Sequence, residues 1–238
     1  MLSYRHAFHA GNHADVLKHL ILIEIAQYMA EKPAPFWIID THAGAGRYSL
    51  DSAHATKLSE YRDGVARLWE AKGLPKAALN YLDFVKMLNP DGQLRHYPGS
   101  PWLARQLLRD SDRLRLYEMH STDGKLLMEC FKGSGRELQD ALKRFPTGTY
   151  ALWYPMLGKP ESRQLPEKLK RLGAANWLHA TLEVKAPSRD GYGMHGSGMF
   201  IINPPWTLEK TLHDTLPTLA TLLAQDAGAK YTLESEST

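Results

Sequence analysis

Phe36-Trp37-Ile38-Ile39-Asp40-Thr41-His42-Ala43-Gly44-Ala45-Gly46-Arg47-Tyr48 is the stretch on which the reading of this chain turns. Phe36 to Asp40 is a continuous apolar run with two isoleucines, preceded by Pro33 and Pro35 and closed by an acid, the pattern of a short buried strand. The run breaks into Thr41-His42-Ala43-Gly44-Ala45-Gly46. Two glycines two apart let the backbone turn sharply and let a ligand approach where no Cβ stands. A strand ending in such a loop is how open α/β sheets build nucleotide sites, because ligands sit beyond the carboxyl ends of the strands. A G-x-G also occurs in ordinary turns, so the neighbouring segments must decide.

Upstream, residues 1–14 crowd Tyr4, Arg5, His6, Phe8, His9, Asn12 and His13 into a segment with no amphipathic period. From Asp15 to Glu31, apolar residues recur at three- and four-residue spacing and predict a helix, with Asn12 or Asp15 as its cap. The histidines raise a metal reading. No cysteine partners them and no acid stands where H-E-x-x-H would put it, so no metal is expected.

Downstream, two helices are predicted over Lys57–Ala71 and Pro75–Leu88, followed by the strong turn Asn89-Pro90-Asp91-Gly92. A simple doubly wound domain places one helix there, so residues 49–97 read as an inserted helical subdomain. The remainder, 1–48 and 98–238, reads as one α/β domain. In Tyr97-Pro98-Gly99-Ser100-Pro101, Ser100 reads as a helix cap with proline at the first helical position, or as a hydroxyl held at a ligand. Leu114 to Glu118 reads as a strand with an acid at its end. Such an acid accepts hydrogen bonds from ribose hydroxyls in dinucleotide and nucleoside sites. Further strands are expected at Thr149–Pro155, Ala180–Val184 and Ser197–Ile202, with a short basic helix at Leu165–Ala175 and a polar, frayed tail after Gln225.

A hydrophobic content of 43% and a charged content of 23% place the 238-residue chain among soluble globular proteins. No apolar run reaches the ~20 residues that span a bilayer, and the first residues carry no secretion signal, so no membrane association is expected. Cys130 is the lone cysteine, which excludes an internal disulfide and fits a reducing compartment, the cytoplasm. The net charge of +3 permits a nucleic-acid partner without requiring one. Arg105, Arg109, Arg113 and Arg115 cluster, as do Lys159, Arg163, Lys168, Lys170 and Arg171; each group reads as a solvated face or as a phosphate-binding surface.

Several motifs taken together closely resemble one family. They are M-L-S-Y-R-H-A-F-H-A-G-N-H-A-D-V-L-K-H at the start, D-T-H-A-G-A-G-R-Y, Y-P-G-S-P, E-M-H, G-x-Y-A-L-W-Y-P and G-S-G-M-x-x-I-N-P-P-W. In order, over residues 1–220, they resemble the RlmJ family, S-adenosyl-L-methionine-dependent methyltransferases that modify an adenine N6 in 23S ribosomal RNA. The resemblance implies a Rossmann-like class I methyltransferase fold with an inserted helical subdomain. It implies that His19, His42, Ser100 and Glu118 contact S-adenosyl-L-methionine, with Glu118 on the ribose. Gly44 and Gly46 make room for the cofactor in the loop. The resemblance also implies that Tyr4 lies near the 23S RNA, and a monomer is expected.

The chain departs from the family pattern in one place. The family carries a strand ending in A-D-G and then one ending in D-P-P-Y or D-P-P-F, and neither is present. The chain passes from Phe131-Lys132-Gly133-Ser134-Gly135 through Arg136–Phe145 directly into Thr147-Gly148-Thr149-Tyr150. In the family that acid and aromatic hold a flipped adenine, so the catalytic residues of this chain stay unassigned. Central-sheet strands are thus expected to be missing. The expectation is that the A-L-W-Y-P strand, Ala151–Pro155, closes the gap by pairing with Phe36–Asp40, which would put Trp153-Tyr154-Pro155 in the D-P-P-Y place. Asn203-Pro204-Pro205-Trp206 has the shape of a substitute motif.

Overall fold

Helices and strands mix in both of the compact units into which the chain divides, Met1–Ser121 and Thr122–Thr238. The computed structural model describes residues 8–44, 46–117, 144–158, 160–172, 174–188 and 193–237. The first unit runs α1 (His13–Ala30), β1 (Trp37–Asp40), β2 (Arg47–Ser49), α2 (Ala53–Leu58), a 3-10 turn (Glu60–Asp63), α3 (Val65–Trp69), α4 (Lys76–Met87), β3 (His96–Pro98), α5 (Ser100–Leu107) and β4 (Arg113–Leu116). The second runs β5 (Tyr150–Leu157), α6 (Pro160–Lys170), β6 (Trp177–Glu183), β7 (Met194–Ile202), α7 (Leu208–Leu222) and β8 (Lys230–Glu236).

Asn12 starts α1: its side-chain oxygen accepts from the backbone N–H groups of Ala14 and Asp15, both at 3.0 Å. Val16, Leu17, Leu20, Ile21 and Ile23 are fully buried. Apolar residues therefore surround most of this helix instead of forming one stripe, as a helix packed on several sides requires. Each such side chain contributes on the order of 2 kcal/mol. The helix packs against α4 and α5, and Asn80 of α4 bonds Gln27 and Glu24 of α1.

The predicted helix over Lys57–Ala71 is broken into α2, the 3-10 turn and α3. Ser59 takes a left-handed conformation at φ 52° and stops α2. Gly64 marks the second break: a Cβ there would lie 2.1 Å from the Gly11 carbonyl oxygen. Val65 N donates to that same carbonyl at 2.8 Å. The helical stretch is thereby pinned to the backbone that leads into α1.

β1 runs parallel to β4, from Trp37 opposite Arg113 to Asp40 opposite Leu116. Arg109 and Asp112 tie the entrances of both strands. Asp112 accepts from Phe36 N at 3.0 Å and from the Arg109 guanidinium at 2.8 and 2.9 Å. Arg109 also donates to the carbonyls of Lys32 and Ala34. Trp37 and Ile39 of β1 are more than half exposed, with the Arg115 guanidinium 4.8 Å above the Trp37 ring. β2 and β3, two short strands that the sequence reading did not anticipate, pair antiparallel, with Tyr48 opposite Tyr97.

The second unit is a four-stranded antiparallel sheet in the order β5-β7-β6-β8. Leu169 of α6 packs with Trp177, Phe200 and Ile202 on one face. Leu208, Leu212, Leu216 and Leu219, spaced by three and four, bury one side of α7, which packs on β6 and β8. The expected pairing of Ala151–Pro155 with Phe36–Asp40 is not formed: β1 pairs with β4, and β5 runs its ladder along β7 from Tyr150 opposite Ile202 to Leu157 opposite Met194. That long antiparallel register occupies an edge of β5, and the Arg136–Phe145 stretch meant to serve as the crossover lies largely outside the described residues. Tyr154 correspondingly stands in a core, its hydroxyl 2.7 Å from His179 Nε2, and not in the place of an adenine-stacking ring. Burial of the Tyr154 hydroxyl pushes its pKa well up. The tail expected to fray forms β8 instead. It reads as polar because an edge strand has few buried positions, here only Leu233 in part, and its end is fastened by the Trp177 indole N–H donating to Glu236 at 2.7 Å.

Candidate functional site

The end of β1 gathers several of the residues singled out from the sequence. One Asp40 carboxylate oxygen accepts the backbone N–H of His42 at 3.0 Å, an Asx turn that starts the loop. The other accepts the Ser100 hydroxyl at 2.6 Å. Of the two readings of Ser100, the helix cap is not the one formed. Gly99 holds the N-cap position and Ser100 is the first residue of α5, which releases its side chain to reach across to β1. Thr41 Oγ1 lies 3.0 Å from His42 Nδ1, and His42 is exposed. Pairing continues past the strand ends, with Tyr117 N donating to Asp40 O and Ala43 N to Tyr117 O.

Gly44 and Gly46 both adopt positive φ, 59° and 76°. A Cβ on Gly44 would lie 2.3 Å from the Tyr48 hydroxyl oxygen, and Tyr48 is itself buried. The loop must pass over that hydroxyl with bare backbone. Gly99 N donates to Gly46 O at 2.8 Å, which fastens the loop to the start of α5. Asp40, Gly44, Gly46 and Ser100 thus form one assembly at the carboxyl end of β1.

His19 joins it through aromatic side chains. It is 1% exposed, and its Nδ1 lies 2.8 Å from the Tyr97 hydroxyl. That hydroxyl is 3.0 Å from the hydroxyl of Tyr81. Burial pushes both tyrosine pKa values far up, and the nearby Asp15 carboxylate adds to this. Asp15 is buried, pairs with Lys18 at 2.8 Å and accepts from Gly11 N. Asp40, Tyr48, Tyr81 and Tyr97 were not singled out as site residues from the sequence. The acid closing the β1 run was the available signal for Asp40; nothing in the chain marks which tyrosine hydroxyls meet. Glu118 and Tyr4 lie outside the described residues.

The remaining candidates have structural partners. His9 Nδ1 lies 3.0 Å from Glu60, which Asn12 also bonds at 2.9 Å. Burial pushes Glu60 up, but the bonds from His9 and Asn12 outweigh it and leave its pKa below the ordinary value. Among the described residues, no group of three or more His, Cys, Asp or Glu is placed to hold a metal ion. Asn203 adopts φ 51° and donates its amide to the carbonyls of Pro146 and Gly148 at 2.8 and 2.9 Å. It works as a staple at the entrance to β5, while Trp206 is 80% exposed.

The family model described as "Ribosomal RNA large subunit methyltransferase D, RlmJ" matches residues 33–137 and 135–234. The Ribosomal RNA large subunit methyltransferase J of Escherichia coli (strain K12) is 40% identical over 261 residues, covering 92% of this chain and 93% of its own. The protein of the same description from Haemophilus influenzae is 36% identical over 277 residues, covering 98% of each. Both aligned spans exceed the 238 residues of this chain, so the alignments open gaps in it. The crystal structure of a Legionella pneumophila protein is similar with a TM-score of 0.83 and 27% identity, covering 97% of this chain and 99% of that one.

Proposed function

Because this chain belongs to the RlmJ family of ribosomal RNA large subunit methyltransferases, we propose that it methylates the N6 amine of an adenine in 23S ribosomal RNA with S-adenosyl-L-methionine as donor. The observation that carries this reading is the match along nearly the whole chain to relatives bearing that enzyme name. The loop at the end of β1 supports the donor reading by its form, a turn with positive φ at Gly44 and Gly46 beyond the carboxyl end of a parallel strand. The fold is then a Rossmann-like class I methyltransferase domain, residues 1–48 and 98–238, with 49–97 as the helical insertion.

In this reading Gly44 and Gly46 admit the donor's backbone-facing side, and Asp40 holds the loop and Ser100 together. His19, His42, Ser100 and Glu118 contact the donor, with Glu118 accepting from the ribose hydroxyls. Tyr4 faces the RNA. The donor supplies an electrophilic methyl carbon on a sulfonium. The chain's task is to hold that carbon in line with an adenine amine and exclude water around it. The protein works as a monomer in the cytoplasm.

A second reading, a chain that holds the donor but transfers nothing, rests on the two aligned spans longer than the chain and on the family match that breaks at residues 135–137. The missing D-P-P-Y segment is what would present the adenine. Calorimetric titration with S-adenosyl-L-methionine, paired with transfer to unmethylated 23S RNA fragments read by mass spectrometry as N6-methyladenine, separates the two. Binding with transfer is expected. Binding alone selects the second reading, and the absence of both binding and transfer overturns the two together.

A further inference from the structure

We propose that Tyr97 is a positioning residue that, backed by Tyr81, holds the His19 ring in one orientation and one tautomer for donor binding. The inference rests on the assignment of His19 to the donor site and adds to it the device that sets its ring. The geometry has three parts. The Tyr97 hydroxyl is 2.8 Å from His19 Nδ1, and the two rings stack with centroids 5.6 Å apart at 27°. The Tyr81 hydroxyl is 3.0 Å from that of Tyr97, and both tyrosines are fully buried. The backbone of Tyr97 pairs with Tyr48, whose hydroxyl lies directly under Gly44, and two residues on Gly99 N is bonded to Gly46 O. One short strand, β3, thus links the histidine to the glycine loop.

The proton arrangement follows from counting. Each tyrosine hydroxyl has one proton to give, and a neutral imidazole has one N–H. If Tyr81 donates to Tyr97, Tyr97 donates to Nδ1 and the histidine proton sits on Nε2. If Nδ1 carries the proton, the Tyr97 oxygen accepts it and the Tyr97 proton must turn away, with the Tyr81 oxygen as its acceptor. His19 therefore cannot change tautomer without turning over the Tyr97 hydroxyl, and unless Tyr81 turns with it the Tyr97 proton loses its partner in a buried space. Burial holds both phenols neutral at physiological pH, so the relay cannot relax by ionising. A histidine held this way meets a ligand with its donor or acceptor already set, which lowers the ordering cost of binding.

The test is a cycle of Tyr97→Phe and His19→Ala on donor affinity, with the ring nitrogens of His19 followed by 15N NMR. Tyr97→Phe is expected to weaken S-adenosyl-L-methionine binding about five- to tenfold. It is also expected to move the His19 shifts from those of one tautomer to those of a mixture. In the His19→Ala background the same change is expected to have no further effect on affinity. Equal losses in both backgrounds, or unchanged shifts, would overturn the proposal and leave Tyr97 a packing residue. Should His19→Ala leave affinity intact, the donor assignment of His19 fails, while the NMR shift still reads the tautomer lock by itself. Tyr81→Phe gives the same readout in a protein that keeps the Tyr97 hydroxyl. It is expected to broaden the tautomer distribution with a smaller loss of affinity, and an unchanged distribution there counts against the relay.

Discussion

Gly44 is the residue on which the loop depends most directly. Its φ of 59° disfavours any side chain, and a Cβ would stand 2.3 Å from the Tyr48 hydroxyl. Gly44→Ala is expected to lower donor affinity at least tenfold and to cost about 1–2 kcal/mol of stability from the left-handed backbone alone. Adding Tyr48→Phe removes the oxygen in the way and is expected to restore part of the affinity but none of the backbone cost. Calorimetry and thermal unfolding on the two variants separate these terms; no recovery in the double variant would show that strain alone matters. Asn203 makes a second residue-scale case. Asn203→Ala loses two bonds to backbone carbonyls and keeps the unfavourable φ, so a loss of about 2 kcal/mol is expected. Asn203→Gly relieves the backbone but not the bonds and is expected to lose less; equal denaturation midpoints for the two would refute the strain argument. The glycines and Ser100 could be singled out in the chain because turn chemistry is local. The partner of Ser100 could not, since the acid at Asp40 lies sixty residues away in sequence.

Among the elements, β1 and β4 show what a charged clamp does for two short strands. Asp112 accepts from Arg109 and from the Phe36 and Arg109 backbone N–H groups, which hold its carboxyl well below the usual carboxylate range. The folded-state pKa is lower than the unfolded value near 3.8. Its contribution is therefore fully present above that value and fades as the pH falls through the folded pKa. Wild type is expected to lose stability steeply between about pH 4 and pH 2, and Asp112→Asn to flatten that part of the profile. Urea unfolding across this window measures it, and parallel profiles for the two proteins would rule the clamp out. Apolar residues at three- and four-residue spacing made α1 and α4 readable from the sequence, and short apolar runs made β6 and β7 so. The β2–β3 pair is three residues long on each side and carries no alternation, and β8 looks like a polar tail, so neither had a local signal. The Lys57–Ala71 helix was overread because its apolar spacing is right, while Ser59 breaks it by turning left-handed and Gly64 by lying against the Gly11 carbonyl.

For the molecule as a whole, the two units each have a core of their own, one around α1 and one around the β5-β7-β6-β8 sheet. Asp112→Asn is expected to speed amide exchange in α1 and β1 and leave β6 and β7 unchanged, with Asn203→Ala doing the reverse. Residue-resolved hydrogen exchange reads this, and equal acceleration in both sets would show a single cooperative body. The mixed α/β class and the family were legible because several motifs, each weak alone, occur in one order. The pairing of β5 was not, since a ladder partner depends on which strands remain to compete for its edges. The contact between Gly44 and Tyr48 also has a genetic consequence. Every missense change at codon 44 adds a Cβ in the space the Tyr48 hydroxyl fills, on top of the left-handed backbone cost. In a saturating mutational scan, variants at 44 would be depleted, and less so in combination with changes at 48 that remove the hydroxyl, a partial coupling that could be read without purifying any protein.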